Sequence, residues 1–206
     1  MGKIRHVLQL SWEYPPRIIG KIALHVKKLS ELLVEENVAV DVVTFDDWRV
    51  GIEKEGKITL HRCGNPITPC TNILTWVLTM HVEMERMASD MIHDKGKKPD
   101  IIHAHDWIAL PAAISLHHEF EIPLVLSIHS LEKHRAKGSY NTYVAAIEKI
   151  EWQGCFEASQ IIVETEWIRD DVIKHYNVPE YKMHVVSPEA DDYIDKIIEI
   201  YGRAVF

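Results

Sequence analysis

Apolar positions along the chain follow two alternating rhythms. Runs of strand length occur at Arg5–Leu10, Val38–Phe45, Asp100–Ala104, Leu124–Ile128, Gln160–Val163 and Met183–Val186. Most are continuous rather than strictly alternating, the pattern of strands buried on both faces of a parallel sheet. Amphipathic stretches lie between them. Ile22, Val26, Leu29 and Leu33 recur at helical spacing while Lys27, Lys28, Glu31 and Glu35 point outward. Asn72–Lys95 places Met80, Met84, Met87 and Met91 on one core stripe, and Trp107–Phe120, Tyr143–Ala158 and Glu166–His175 supply further helices. This alternation predicts a single Rossmann-like α/β domain over residues 1–206, with a doubly wound, mostly parallel sheet and helices on both faces.

Two segments depart from the rhythm. Residues 50–62 predict a small hairpin insertion turning near Gly56, a decoration on the sheet. Ser187-Pro188-Glu189 offers an N-cap, a first-turn proline and an acid, with Asp191 and Asp192 suited to the same turn. A terminal helix over 188–206, apolar at Tyr193, Ile194, Ile197, Ile198, Tyr201 and Val205, is expected to pack back on the domain.

Composition narrows the function classes. The chain has 206 residues, and 23 Lys+Arg against 31 Asp+Glu give a net charge of −8. Nucleic acid is not an expected partner, because phosphate neutralisation needs clustered cations. No apolar run reaches the length of a membrane span, and the opening residues are too briefly apolar for a signal peptide. Gly2 resembles a myristoylation start, but position 6 is His6. Cys63, Cys70 and Cys155 form no disulfide framework. The expected setting is the cytoplasm.

In an open parallel sheet the ligand crevice lies beyond the C-terminal strand ends. After the first strand, Pro15-Pro16 stiffens a loop leading to Gly20 and Lys21 at a helix start, where free N–H groups suit an anion. After the third major strand come His103, His105, Asp106 and Trp107, and after the next Ser127, His129 and Ser130. Imidazoles, a carboxylate and an aromatic ring suit a sugar, which offers hydroxyls to bond and C–H faces to stack. His-x-His is also a metal-ligand spacing, but Ile108 stands where a further ligand usually follows, so no metal is expected. Glu164-Thr165-Glu166-Trp167 adds a fourth strand end, with Thr165 a helix N-cap. His117 and His118 read as a solvated helix flank.

The stretch Trp12-Glu13-Tyr14-Pro15-Pro16 with Ile18–Val26, followed by His103–Trp107, Ser127–Ser130 and Ile161–Ile168, resembles the opening domain of retaining GT-B glycosyltransferases of the glycogen/starch synthase and sucrose-phosphate synthase type. The resemblance implies an acceptor-side Rossmann-like half and metal-free hexosyl transfer from a nucleotide sugar such as UDP- or ADP-glucose. It implies Gly20 and Lys21 near the donor diphosphate, and His129 as the catalytic histidine near donor sugar and acceptor. Glu13, His105, Asp106, Trp107 and Thr165 would bind substrate around them. Lys21 stands where the family usually has a second glycine. The chain stops where the family's first domain ends, so transfer is expected only with a donor domain from a separate chain. Alternatives are a non-catalytic glycan or nucleotide-sugar binding module, a metal-dependent hydrolase using His103, His105 and Asp106, or an interaction protein, with a homodimer possible through an uncovered apolar patch.

Overall fold

The computed structural model describes residues 3–96 and 98–205; Gly2 lies outside them. Eight strands form one sheet: β1 (His6–Ser11), β2 (Ala39–Phe45), β3 (Gly51–Glu55), β4 (Ile58–Cys63), β5 (Ile101–His105), β6 (Leu124–Ile128), β7 (Gln160–Val163) and β8 (Met183–Val185). Their order is β3-β4-β2-β1-β5-β6-β7-β8, with every pairing parallel except β3 with β4. The chain builds outward from β1 in one direction, then returns to add β5 on its other side. The reversal makes the β1/β5 boundary the topological switch point, where an open α/β sheet leaves room for a ligand.

Among the described residues, seven α-helices accompany the strands, six of them between strands and α7 after the last: α1 (Ile22–Glu35), α2 (Ile73–Lys95), α3 (Asp106–Phe120), α4 (Glu132–Arg135), α5 (Thr142–Glu157), α6 (Glu166–Tyr176) and α7 (Tyr193–Ala204). Asn72, Asn141 and Thr165 cap α2, α5 and α6 by accepting backbone N–H bonds. Strand residues alternate between two cores. Val7, Val40, Ile101, Val125 and Ile162 pack under α1 and α7, against Val26, Leu29, Ile197 and Tyr201. Leu8, Leu10, Ile102, Leu126 and Ile161 face α2, α3 and α5, against Met80, Met84, Met91, Trp107 and Leu110. This two-sided burial is why the strands read as unbroken apolar runs.

Three expectations need correction. The 50–62 hairpin turns at Gly56 (φ 62°), yet it is no decoration, since β4 pairs in parallel with β2 and extends the sheet. Its outer strand, β3, is a charged edge carrying Glu53, Lys54 and Glu55. Ser187 does not start the terminal helix: its Oγ accepts from the Glu189 N–H at 3.3 Å, and successive turns carry the chain to Tyr193. Lys28 of α1 bonds the Pro188 carbonyl at 2.7 Å and tethers this crossing, so Asp191 and Asp192 precede α7. His117 is half-buried with a ring nitrogen 2.6 Å from the Ile122 carbonyl, leaving only His118 solvated.

Candidate functional site

The strands β1, β5, β6 and β7 deliver polar groups to the switch point on the α1/α7 side of the sheet. Gln9, His103, His105 and Ser127 are buried there among apolar neighbours. A continuous hydrogen-bonded seam satisfies them. His105 Nε2 lies 3.1 Å from Gln9 Oε1, the Gln9 amide donates to Ser30 Oγ at 2.9 Å, and Ser30 donates to the Val26 carbonyl at 2.7 Å. On its other side His105 Nδ1 meets His129 Nε2 at 3.3 Å, and His129 Nδ1 lies 3.1 Å from Glu164 Oε1. His103 is held between Tyr201 of α7 at 2.7 Å and Ser127 at 2.8 Å.

Charge along the seam is uneven. Burial, reinforced by neighbouring imidazoles, holds His105 and His103 well below the ordinary histidine range and lowers His25 to about 3. His129 differs: burial opposes its charge, but Glu164, Asp106 and Glu13 raise it above the ordinary value. Glu164 is correspondingly lowered, chiefly by its hydrogen bond to His129. A proton arrangement consistent with the raised His129 satisfies each of these bonds. His129 is an imidazolium donating to Glu164 and to His105, and neutral His105 donates onward to Gln9. The one raised imidazole, His129, thus sits among lowered ones at the crevice floor.

The other predicted residues divide by role. Gly20 and Lys21 are exposed at the start of α1, where among the described residues no side chain caps the first turn. Glu13 is buried beneath them, its Oε2 accepting from the N–H of Ile19 at 2.5 Å and of Gly20 at 2.8 Å. Its Oε1 is buried without a hydrogen-bond partner among the described residues. Asp106 takes a left-handed φ of 58° where β5 passes into α3, a conformation Asp tolerates better than most residues. There its Oδ1 accepts from the His129 N–H at 2.6 Å and the Ser130 N–H at 3.3 Å, fixing the loop that carries His129. Trp107 packs in the core under α3, 6% exposed, and presents no ring face to the crevice. Thr165 is exposed as the α6 cap.

Sequence reasoning missed His25 as a member of this group. Its ring stands edge-on to His105 and His129, with centroids at 5.8 and 4.7 Å, and its Nε2 lies 3.3 Å from the Tyr193 hydroxyl. The signal was available: His25 falls beside Ile22, Val26 and Leu29 on the inward face of α1. Gln9, a polar residue inside an apolar strand, was equally legible as a partner for a strand-end histidine.

This geometry has known relatives. The profile described as Glycosyltransferase Family 4 matches residues 22–191. The chain belongs to glycosyltransferase family 4. It is 34% identical over 180 residues to an uncharacterized glycosyltransferase of Methanocaldococcus jannaschii, covering 87% of this chain and 45% of that protein. It is 31% identical over 147 residues to glycogen synthase of Mycobacterium tuberculosis, covering 64% and 35%. The chain therefore spans about half the length of the curated relatives it matches, or less. Among solved structures, sucrose-phosphate synthase from Thermosynechococcus elongatus superposes with a TM-score of 0.71 at 13% identity, over 89% of this chain and 48% of that one. A shorter chain of the same enzyme is matched over 97% of both chains, with a TM-score of 0.65 at 13% identity. The family 4 chain thus has the fold of one Rossmann-like GT-B half, the part of sucrose-phosphate synthase on which it superposes. No helix among its described residues is long and apolar enough to cross a membrane.

Proposed function

We propose that this domain is the acceptor side of a retaining hexosyltransferase, acting when a donor domain closes over the crevice. The observation that carries the reading is the geometry of His129, hydrogen-bonded between Glu164 and His105 at the switch point beside the uncapped N-terminus of α1. Transfer from a nucleotide sugar develops positive charge at the anomeric carbon and negative charge on a leaving diphosphate. The free N–H groups of the first α1 turn, with Gly20 and Lys21, suit the diphosphate. His129 suits a hydroxyl or phosphate oxygen of the same substrate, and the buried Glu13 shapes the approach to α1 through the Ile19 and Gly20 N–H groups. Asp106 acts through the loop it fixes, while Trp107 supports that loop from the core.

The acceptor class we infer is a sugar or polysaccharide. At the start of α2, Trp12 and Trp76 meet edge to face at 6.3 Å, with Arg17 over Trp12 at 5.0 Å and Asn72 and Asp47 lining the same groove. Aromatic faces next to hydrogen-bonding groups suit a pyranose ring. The donor domain is either another part of the polypeptide or a separate chain, and UDP- or ADP-glucose are the donors to try first. The cytoplasm is the setting we infer, in keeping with three unpaired cysteines. Exposed Ile18, Ile19 and Leu24 flank the start of α1 and suit a covering partner, a donor domain or a second copy.

A non-catalytic binding module is favoured by one specific feature: Glu13 already occupies the N–H groups of Ile19 and Gly20, leaving fewer for phosphate. Calorimetric titration of the metal-stripped chain with UDP-glucose, ADP-glucose and maltooligosaccharides tests both readings, with Lys21→Ala and His129→Ala beside it. Under the transferase reading, nucleotide-sugar binding weakens about 10-fold or more in both variants, in line with lost charge-assisted hydrogen bonds. Glycan binding that ignores Lys21 and yields no transfer with a donor domain supports the module. Silence across the panel rejects both.

A further inference from the structure

We propose that Arg135 and Glu151 are positioning residues of the crevice, a pair that grips the His129 loop from behind and holds its ring against Glu164. The inference rests on the transferase reading for what His129 does, but not for how it is held. Arg135 closes α4 and spreads its guanidinium between the loop and the core. Its Nη1 donates to the Ser130 carbonyl at 2.9 Å and to Ser130 Oγ at 2.6 Å, while its Nη2 donates to Glu151 Oε1 at 2.7 Å. On the other side of the same loop, Asp106 accepts from the N–H groups of His129 and Ser130. The two residues are thus held at both ends, by a carboxylate on their N–H groups and a guanidinium on the Ser130 carbonyl.

Glu151 anchors this grip in the core. Its side chain, on α5, is 5% exposed. It accepts from Arg135, from the Glu132 N–H at 2.9 Å and from the Tyr176 hydroxyl at 2.5 Å. A carboxylate buried this deeply persists only with its bonds met. One of those bonds starts α4, whose own cap residue, Leu131, supplies no side-chain bond. A helix of 4 residues does not hold itself. It takes its place from Glu151 and from Asp171 of α6, which accepts from Lys133 at 3.0 Å and lies 2.6 Å from His134. In the chain, α4 follows His129 and α6 follows Glu164. This one turn of helix therefore ties together the two segments that meet in the His129–Glu164 contact at 3.1 Å.

Arg135→Lys separates positioning from charge, because lysine keeps the cation but loses the planar fork that spans Ser130 and Glu151. In the full chain, native-state exchange of the His129 and Ser130 amides should quicken about 10-fold or more, the equivalent of one charge-assisted hydrogen bond. The His129 ring titration, raised against burial by Glu164, Asp106 and Glu13, should fall. UDP- or ADP-glucose should bind about 10-fold more weakly. Glu151→Gln should move all three in the same direction, and the half-buried Arg135→Lys reports even if Glu151→Gln fails to fold by circular dichroism. Asp41→Ala serves as the control, since it costs stability on the other face of the sheet and should move none of them. Unchanged exchange and titration in Arg135→Lys overturn the proposal. Equal changes in Asp41→Ala overturn it too, because the effect would then follow stability alone. Exchange and titration need no sugar, so a chain that ignores nucleotide sugars rejects the transferase reading without deciding this one.

Discussion

Two histidine–carboxylate clusters lie on opposite faces of the sheet, and they solve the problem of buried charge differently. On the α2/α3 side, Asp41 of β2 is gripped by His61 of β4 at 2.6 Å and His6 of β1 at 2.7 Å. Both carboxylate oxygens are used, and although burial raises the group, these two bonds hold it well below the usual carboxylate range. On the α1/α7 side, one carboxylate, Glu164, faces a chain of imidazoles in which only His129 is raised. The first cluster is closed and ties three strands together. The second is open: His25 and His129 reach solvent, and Glu164 is 41% exposed. Residue types alone do not separate a structural site from a candidate functional one. The count of unmet bonding capacity at the surface does.

Breaking the closed cluster should have the largest effect. Asp41→Ala leaves the Nε2 atoms of His6 and His61 without their acceptor, and the His61 side chain is 1% exposed. A loss of roughly 3–5 kcal/mol is expected, the cost of stranding buried polar partners, read from urea unfolding midpoints. The His129 titration should not move, because its partners sit on the other face. A shifted His129 titration in a folded Asp41→Ala chain would mean that the two clusters are coupled through the sheet.

Within the open cluster, Tyr201→Phe should cost about 1–3 kcal/mol by leaving one buried nitrogen of His103 unpaired. The measurement is again chemical unfolding, now with amide exchange along α7. Faster exchange confined to Tyr193–Ala204 identifies Tyr201 as the latch holding the terminal helix on the domain. A change below about 0.5 kcal/mol would show that packing of Ile197 and Ile200 alone suffices.

These contrasts also show what the sequence made legible. Strand and helix positions were readable because the sheet is buried on both sides, so periodicity and burial agree. The strand-end histidines were readable for the same reason, since a polar residue closing an apolar run has few other uses. His25 was not, because it sits in a helix whose membership in the site depends on how α1 crosses the sheet. Asp106 and Trp107 read as ligands but face elsewhere, because the left-handed turn at Asp106 points its carboxylate at the His129 loop and sends the next side chain into the core. The start of α7 was misplaced because Ser187 has two local options, an N-cap or a short turn. The distant Lys28–Pro188 contact accompanies the turn, and nothing local encodes it.

Acidity sharpens the comparison at its smallest scale. His129 is raised when folded, so its contribution is complete below the ordinary value of 6.5 and is lost as pH rises through its folded value. Glu164 is lowered, so its contribution is complete above 4.5 and is lost as pH falls through its own folded value. The pair therefore stabilises fully only between these limits. His25, His103 and His105 act oppositely below 6.5, where the unfolded chain takes up protons that the buried rings refuse. For His103 and His105 this effect is common to wild type and Glu164→Gln, while His25, which Glu164 raises, falls further in the variant and adds slightly to the gap below 6.5. The variant should thus be less stable by at most about 1 kcal/mol, given the solvent screening of Glu164. That gap should be widest between pH 4.5 and 6.5 and should narrow on either side. Proton NMR of the histidine rings should show the His129 midpoint falling in the variant while His25 stays neutral throughout. A gap independent of pH would place the proton elsewhere in the seam and remove the basis for a charged His129.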